Sequence, residues 1–236
     1  MEILHRAMKV MDIEDSHQRL DTFRTYRDLV LEWNEKVNLT AIKDPEEFEV
    51  KHFVDSLLAS VYPGFLKAKN VVDIGTGAGF PGLPLAICFP EKQFVLVDSL
   101  NKRIRILNEI IRALNIHNAA AIHGRAEDLA VQDTHRQQYD VCLSRAVADL
   151  SVLAEYCLPF VRIGGYFGSY KSADVDRELS GSKRALKVLG GRFITATKVP
   201  LEDIDLNHQI LWIEKVSQTP AKYPRKAGIP SKEPIK

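Results

Sequence analysis

The feature that most constrains this chain is the segment VVDIGTGAGFPG at residues 71–82. A short apolar run typical of a buried strand is followed by Gly75, Gly77 and Gly79 at alternate positions. Because glycine has no Cβ and adopts positive φ at little cost, its backbone can approach a bound ligand closely. A helix that begins after such a turn presents free N–H groups to that ligand. The segment therefore predicts a strand–turn–helix unit that binds a small molecule through its backbone.

Two overlapping motifs leave the ligand open between NAD and S-adenosylmethionine. Gly77, Gly79 and Gly82 match the dinucleotide pattern G-x-G-x-x-G. Asp98 ends the next apolar strand about 20 residues later, where a carboxylate accepts the two ribose hydroxyls that both cofactors contain. Asp73 precedes the glycines and gives D-x-G-x-G-x-G, which is similar to the first motif of class I methyltransferases. This second pattern favours S-adenosylmethionine.

From residue 70 onward, apolar strands alternate with amphipathic helices. This order is typical of a doubly wound sheet. We predict an α/β fold: a doubly wound, Rossmann-like class I methyltransferase sheet, mostly parallel with an antiparallel edge strand, preceded by a small N-terminal helical region. One helix is predicted over residues 151–165, ending at Gly164 and Gly165 before a fifth strand at 166–171. Strands are also predicted at 71–75, 93–99, within 119–129, at 139–147 and, as an antiparallel pair, at 192–201 and 207–216.

Three parts of the chain differ in pattern. We predict an N-terminal helical subdomain at 1–69, an S-adenosylmethionine-binding methyltransferase domain at 70–216 and a basic C-terminal tail at 217–236. In the first part, residues 20–39 carry apolar side chains at spacings of three and four, the period of an amphipathic helix. Asp44 and Pro45 then predict the N-cap and first position of another helix, which ends before Tyr62.

Composition excludes several classes of protein. The 236 residues have a net charge of +1 and 45% hydrophobic residues, which argues against a histone-like, polyacidic or disordered chain. Cys88, Cys142 and Cys157 are far apart and form no metal-binding pattern, so buried thiols are expected rather than a disulfide framework or a zinc site. There is no run of 18 apolar residues and no secretory pattern. We expect a soluble, cytoplasmic protein with no metal and no membrane association.

Polar residues follow the third and fourth predicted strands, where ligands of such sheets bind. In methyltransferases of this fold the residue pair at this position contacts adenine, so Ala126 and Glu127 are candidates for that contact, with a solvated or N-capping carboxylate as the alternative for Glu127. Arg145, within Ser144-Arg145-Ala146, is a candidate for holding the cofactor carboxylate, a substrate phosphate or a base edge, or for a structural ion pair. The Asn-Pro-Pro-aromatic tetrad of amino-methylating enzymes is absent here, which favours an acceptor that is already nucleophilic, such as a ring nitrogen.

Several segments together resemble the bacterial RsmG family, once called glucose-inhibited division protein B. The resemblance implies methyl transfer from S-adenosylmethionine to N7 of a guanine in the 530 loop of 16S rRNA. Guanine N7 carries a lone pair at neutral pH, so alignment suffices and no catalytic acid or base is expected. The matching segments are 38–41 (NLTA), 52–57 (HFVDSL), 73–82, 97–99 (VDS) with Lys102 and Arg103, 125–127 (RAE), 144–146 (SRA) and 223–228 (YPRKAG).

RNA binding requires cations near the cofactor site. Residues 162–198 hold eight basic and three acidic residues, and residues 216–236 hold five basic and one acidic. We therefore expect rRNA contacts from Lys171 at the end of the fifth strand and from three cations of the tail, Lys222, Arg225 and Lys226. The expected partner is 16S rRNA, as the small ribosomal subunit or an assembly intermediate, bound by a monomeric enzyme.

Three further residues are candidates on weaker grounds. His52 and Asp55 are three apart on one helix face, where they contact a base or close the pocket, or serve a structural role. Phe80 follows the glycines and packs on the cofactor, on a flipped guanine or in the core. Two alternative functions stay open: a methyltransferase of the same fold with a small-molecule or protein substrate, and a non-catalytic nucleotide- or RNA-binding module.

Overall fold

The computed structural model describes residues 1–145, 148–172, 175–198, 206 and 208–236. Its centre is a seven-stranded sheet with the strand order β3-β2-β1-β4-β5-β7-β6. Strands β1 to β5 are parallel, and β7 runs antiparallel to both β5 and β6. The prediction of a doubly wound, mostly parallel sheet with an antiparallel edge is confirmed. The strands are β1 Asn70–Ile74, β2 Gln93–Asp98, β3 Ala119–His123, β4 Tyr139–Ser144, β5 Val161–Lys171, β6 Gly191–Lys198 and β7 Gln209–Lys215.

Helices cover both faces of the sheet, because alternate strand residues point to opposite sides. On β1, Val71 belongs to a core shared with the N-terminal helices, α6 and α7, whereas Val72 belongs to a second core shared with α8, α9 and α10. The helices are α1 Glu2–Val10, α2 His17–Asn34, α3 Pro45–Phe48, α4 Asp55–Leu57, α5 Pro63–Leu66, α6 Gly82–Cys88, α7 Asn101–Ala113, α8 Ala126–Leu129, α9 Leu150–Cys157, α10 Val175–Leu189 and α11 Ile229–Lys232.

The N-terminal region is helical, as the periodicity predicts. The carboxylate of Asp44 accepts hydrogen bonds from the amides of Glu46 and Glu47, at 3.0 and 2.8 Å, and so caps α3 at the predicted position. Between α3 and α4 the helix widens into a π-helical turn, Glu49–Val54, and it closes with a 3₁₀ turn, Leu58–Val61. The division into three domains remains a prediction.

The predicted helix at 151–165 is wrong in its second half. Helix α9 ends at Cys157, a 3₁₀ turn covers Leu158–Phe160, and β5 begins at Val161. Pro159 has no N–H to continue the helix, and it disfavours helical geometry in the residue before it. Gly164 adopts a φ of 80°, beside a register shift in the pairing of β4 with β5, so the glycines mark an irregular strand and not a helix end.

All three cysteines are buried thiols, as expected. Among the described residues, no helix combines the length and the apolarity that a membrane crossing requires. Ala146 and parts of the predicted closing strands and their loop (199–205 and 207) lie outside the described residues.

Candidate active site

The glycine loop (residues 75–82) is fixed by hydrogen bonds from two strands. The amides of Gly75 and Thr76 both donate to the carbonyl of Val97, at 2.9 and 3.0 Å. One oxygen of Asp73, Oδ2, accepts from the Thr76 hydroxyl at 2.7 Å and from the Gly82 amide at 2.9 Å. Asp73 is fully buried and its Oδ1 has no hydrogen-bond partner. Burial raises the pKa of this carboxyl to about 6. Asp73, near the end of β1, thus fixes the loop conformation by accepting hydrogen bonds from both ends of the loop.

The glycines of this loop serve different purposes. Gly75, Gly77 and Gly79 have φ values of 77°, 59° and 106°, a region that favours glycine. A Cβ on Gly77 would meet open space, but one on Gly79 would lie 2.6 Å from the hydroxyl oxygen of Tyr26. That hydroxyl donates to the carbonyl of Ala78 at 2.7 Å, so α2 holds the loop in place. Gly79 is therefore required by packing against α2.

A cavity of about 380 Å³, the first cavity, opens at the carboxyl ends of β1 to β4. Four of the predicted cofactor residues line it: Gly75, Asp98, Ala126 and Glu127. The Asp98 carboxylate accepts the amide of Gly77 on Oδ2, at 3.0 Å, and the amide of Leu100 on Oδ1, at 2.8 Å. Because each carboxylate oxygen can accept a second hydrogen bond, both oxygens remain able to bind neighbouring hydroxyl groups.

These residues fit the adenosine half of S-adenosylmethionine. The positive φ of Gly75 leaves backbone without a Cβ at the cavity wall, and Asp98 supplies a fixed acceptor for ribose hydroxyls. The volume lies in the ordinary range for small-molecule sites. Asp98 would hold the ribose, and Ala126 with Glu127 would contact the adenine ring.

Two walls of this cavity were not foreseen from the sequence. Leu153 and Tyr156 of α9 line one side, and Gly228 of the C-terminal segment (residues 217–236) lines another. The Gly228 amide donates to Oε1 of Glu127 at 3.0 Å. The only sequence signal was that Gly228 ends the YPRKAG motif, which carried no assignment to the cofactor.

A second cavity of about 500 Å³ adjoins the first at Ala148, which lines both. Arg145 and Lys171, both predicted substrate residues, line it together with Tyr170 and His208. Lys171 is 8% exposed and forms a 2.7 Å ion pair with Glu178 of α10. The structure therefore brings two predicted cations to the cavity next to the adenosine site, although each already has an acidic partner.

Arg145 is anchored by the N-terminal helices through a buried carboxylate. Its Nη1 donates to Oδ2 of Asp55 at 2.7 Å and to the carbonyl of Lys51 at 2.9 Å. The other Asp55 oxygen lies 3.0 Å from Nδ1 of His208. Burial of Asp55 raises its pKa, but the hydrogen bond from His208 and the Arg145 charge outweigh burial and lower it overall. Asp55 is thus an ionised, fully buried counterion for the second cavity.

His52 faces the same guanidinium. Nη2 of Arg145 lies 3.2 Å from Nδ1 of His52, and Nε2 of His52 lies 2.7 Å from the hydroxyl of Thr40. Since a guanidinium only donates, Nδ1 accepts and Nε2 carries the proton. Burial, aided by the Arg145 charge, lowers the pKa of His52 to about 3, so the ring is neutral at physiological pH. The ring stacks on Phe80, with 4.4 Å between the ring centroids.

Phe80 is thereby located in the protein core, next to His52 and Arg145. Phe80 is 5% exposed, and the Arg145 guanidinium lies 5.2 Å from its ring centroid. Neither Phe80, Gly77, Gly79 nor Asp73 lines the first cavity, and Arg145, the remaining predicted cofactor residue, lines only the second of the two cavities. Their predicted cofactor contacts therefore stay predictions, whereas the roles of Asp73, the glycines and Phe80 in fixing the loop and Arg145 are visible.

The predicted tail cations divide into two kinds. Lys222 and Lys226 are exposed. Arg225 is held by the fully buried Glu155 of α9, to which it donates from Nε at 2.9 Å and from Nη2 at 2.7 Å. The hydrogen bond to Glu155 raises the pKa of Arg225 still further. The positive charge of Arg225 is therefore already paired with a carboxylate of the same chain.

A family model for rRNA small subunit methyltransferase G (GidB) matches residues 19–203. The chain is 50% identical over 213 residues to ribosomal RNA small subunit methyltransferase G of Alkaliphilus metalliredigens, covering 90% of this chain and 89% of the relative. It is 43% identical over 235 residues to the protein of the same name from Clostridium tetani, covering 100% and 98%. The chain belongs to the rRNA small subunit methyltransferase G family.

This membership confirms the predicted family and the prediction of a methyltransferase, and S-adenosylmethionine is the methyl donor of that family. Solved structures support the fold. An O-methyltransferase from Bacillus cereus in complex with SAH superimposes with a TM-score of 0.58 at 17% identity, covering 91% of this chain and 98% of that chain. TYW2 of M. jannaschii in complex with AdoMet superimposes with a TM-score of 0.56 at 15% identity, covering 75% of this chain and 80% of that chain.

Proposed function

We propose that this member of the family transfers a methyl group from S-adenosylmethionine to N7 of a guanine in the 530 loop of 16S rRNA. The observation that carries the proposal is the pair of adjoining cavities at the carboxyl ends of the strands. The first presents Asp98 and Glu127 for an adenosine, and the second presents Arg145 beside it, with Ala148 common to both. A donor in the first cavity and a base in the second would therefore be neighbours.

The second cavity suits a guanine edge. The N7 and O6 atoms of guanine are adjacent acceptors, and arginine or lysine donors commonly bind this pair. Arg145 and Lys171 supply such donors at the cavity. A donor on O6 fixes the ring while leaving the N7 lone pair directed at the methyl group. Asp55 and Glu178, which pair with these cations, keep the site close to neutral.

The chemistry needs no general base. When bound, S-adenosylmethionine supplies a methyl group on a sulfonium: the N7 lone pair forms the new C–N bond, the C–S bond breaks, its electron pair returns to sulfur, and the positive charge passes to the guanine ring. The protein residues then act by orienting the base and by shaping the electrostatic field. His52, neutral and engaged by Arg145 and Thr40, is a positioning residue for that guanidinium.

The rRNA partner is bound through phosphate contacts around this end of the sheet. Lys222 and Lys226, both exposed on the C-terminal segment that reaches the first cavity, supply two of these contacts. The substrate is the small subunit or one of its assembly intermediates, and the enzyme acts as a cytoplasmic monomer without a metal.

The proposal is tested by label transfer. Small subunits and subunit assembly intermediates from a strain lacking the enzyme, and naked 16S rRNA, are incubated with purified protein and methyl-labelled S-adenosylmethionine. We expect label in RNA with the wild-type protein and its loss with Asp98→Ala, because the ribose acceptor is removed. If neither RNA form, nor assembly intermediates, accept label from a protein that binds the cofactor, the rRNA substrate is wrong and a small-molecule or protein acceptor takes its place.

A further inference from the structure

The C-terminal segment is attached to the sheet domain by buried and charged contacts. The Arg136 guanidinium donates from Nη1 to the carbonyls of Ala130 and Tyr223, at 3.2 and 3.0 Å, and from Nη2 to the carbonyl of Thr219, at 2.9 Å. Pro224 is buried. One side chain from the β3–β4 connection thereby fixes the first part of the segment.

The second attachment is the Arg225–Glu155 pair. Glu155 Oε1 accepts both the backbone amide of Arg225, at 2.8 Å, and its Nε, at 2.9 Å, while Oε2 accepts Nη2 at 2.7 Å. Bidentate arginine–carboxylate pairs are directional as well as strong. With the backbone amide included, the pair fixes the position of the segment along α9. The next residue of α9, Tyr156, lines the first cavity.

The third attachment is made inside the cavity wall. Three residues after Arg225, Gly228 adopts a φ of 83° and donates its amide to Oε1 of Glu127 at 3.0 Å. Glu127 is 9% exposed and lines the same cavity. The carboxylate at the predicted adenine position is therefore held by the C-terminal segment, and the segment is in turn held by Glu155.

We propose that the backbone of residues 223–228 forms part of the cofactor site, and that Arg225 is a positioning residue for S-adenosylmethionine binding and not an rRNA contact. This inference rests on the proposed function. The Glu127 carboxylate is an acceptor suited to the exocyclic amino group of adenine. A Glu127 side chain that is already fixed loses less rotamer freedom on binding, which raises affinity without a new contact. Arg225 supplies this order through the backbone that carries Gly228.

Two variants disturb this arrangement at different points. Arg225→Gln removes the bidentate pair, and Gly228→Ala adds a methyl group that meets no atom within 4 Å but strains the backbone, because residues with a Cβ rarely adopt a φ of 83°. Binding of S-adenosylhomocysteine, measured by calorimetry without RNA, should weaken roughly tenfold in each variant, the scale of losing a hydrogen bond to a charged group.

Matched controls separate this effect from general damage. Gly181→Ala also adds a methyl group in open space, but on helix α10 with ordinary φ. Because Lys226 is itself proposed as an rRNA contact, the charge control is Lys232→Gln, at another exposed cation of the C-terminal segment. Gly181→Ala and Lys232→Gln should both bind S-adenosylhomocysteine within twofold of the wild-type protein. If Arg225→Gln does not fold, the double variant Glu155→Gln/Arg225→Gln replaces it, because two amides leave no buried charge without a partner.

A structural role alone would not change which base is preferred. S-inosylhomocysteine carries a carbonyl oxygen where adenine has its amino group, so a fixed Glu127 carboxylate rejects it. We expect the preference of the wild-type protein for the adenosine compound to fall at least threefold in Arg225→Gln and in Gly228→Ala. Unchanged affinity and unchanged preference in both variants would overturn the inference. Failure of the wild-type protein itself to bind S-adenosylhomocysteine would instead contradict the proposed function.

Discussion

At the scale of single residues, buried charges do most to define the site. Asp73 is buried with one oxygen lacking a partner, and burial raises its pKa to about 6 from an ordinary value of 3.8. A raised pKa in the folded state means that the stability contributed by the neutral form is fully present below pH 3.8 and is lost as the pH rises through 6. At neutral pH, the ionised Asp73 carboxylate therefore lowers the free energy of unfolding, although its hydrogen bonds fix the loop.

Asp73→Asn tests this cost. The amide keeps an acceptor for Thr76 and Gly82 but cannot ionise, so the variant should gain stability relative to the wild-type protein as the pH rises from 4 to 8. The gain is on the order of 3 kcal/mol, from the linkage between pKa and unfolding. Urea denaturation of both proteins at several pH values measures it. A difference in unfolding free energy that does not change with pH would contradict the assignment.

The pKa of Asp55 is shifted in the opposite direction from that of Asp73, because the effect of burial is outweighed by the neighbouring His208 and Arg145, which stabilise its ionised form. Its ionised carboxylate is fully buried between Arg145 and His208. Asp55→Ala leaves the Arg145 guanidinium largely buried without its partner, which should cost about 3 to 5 kcal/mol in unfolding free energy.

The control for Asp55→Ala is Glu47→Ala, which removes an exposed ion pair with Lys51 and should cost less than about 1 kcal/mol. Denaturation at neutral pH compares the two variants. Equal costs would show that the buried pair does not hold Arg145 in place.

At the scale of elements, the glycine loop shows how far local patterns reach. The strand, the loop and the carboxylate of Asp98 followed from spacing alone, because each depends on residues close in sequence. The packing that requires a glycine at position 79 could not be predicted in this way. The residue that a Cβ there would meet, Tyr26, lies on α2, and it is 52 residues before Ala78, to which it hydrogen-bonds. Likewise, the periodicity that predicted α9 gave no weight to Pro159, which ends it.

The two loop glycines therefore differ in what an added methyl group costs. Gly79→Ala brings a Cβ within 3 Å of Tyr26 and Leu107 at a φ of 106°, and it should destabilise the protein by about 3 kcal/mol. Gly77→Ala meets no atom and, at a φ of 59°, should cost about 1 kcal/mol. Thermal unfolding of both variants tests the order. A larger loss in Gly77→Ala would contradict the packing of α2 on the loop.

At the scale of the whole molecule, counts of charged residues along the sequence do not identify the RNA-binding surface, because the fold pairs some of the basic residues with distant acidic ones. The basic segment 162–198 includes Arg162, the second residue of β5, which lies at the opposite end of the sheet from the two cavities and pairs with Asp140 at 2.6 Å. Arg225, counted with the tail cations, pairs with Glu155. Such long-range partners are set by the topology, and a single sequence does not reveal them. The predicted ends of the strands did place Asp98, Glu127 and Arg145 correctly at one edge.

The RNA interface should therefore depend on Lys222 and Lys226. Replacing both with alanine should weaken rRNA binding and reduce the slope of log affinity against log salt by about 1.4 to 1.8, two phosphate contacts in total. S-adenosylhomocysteine affinity should not change. Arg162→Ala, at the far end of the sheet, is the control and should leave the salt slope unaltered. An unchanged slope in the double lysine variant would place the rRNA on another surface.

The central claim is that one guanine N7 of the 530 loop receives the methyl group beside the Asp98 cavity. The most direct measurement is borohydride and aniline cleavage of 16S rRNA after reaction of small subunits from the deletion strain, since this cleavage reports 7-methylguanine. The account predicts one new cleavage in the 530 loop with the wild-type protein and none with Asp98→Ala. Label incorporated without such a cleavage, or a cleavage elsewhere in the rRNA, would contradict it.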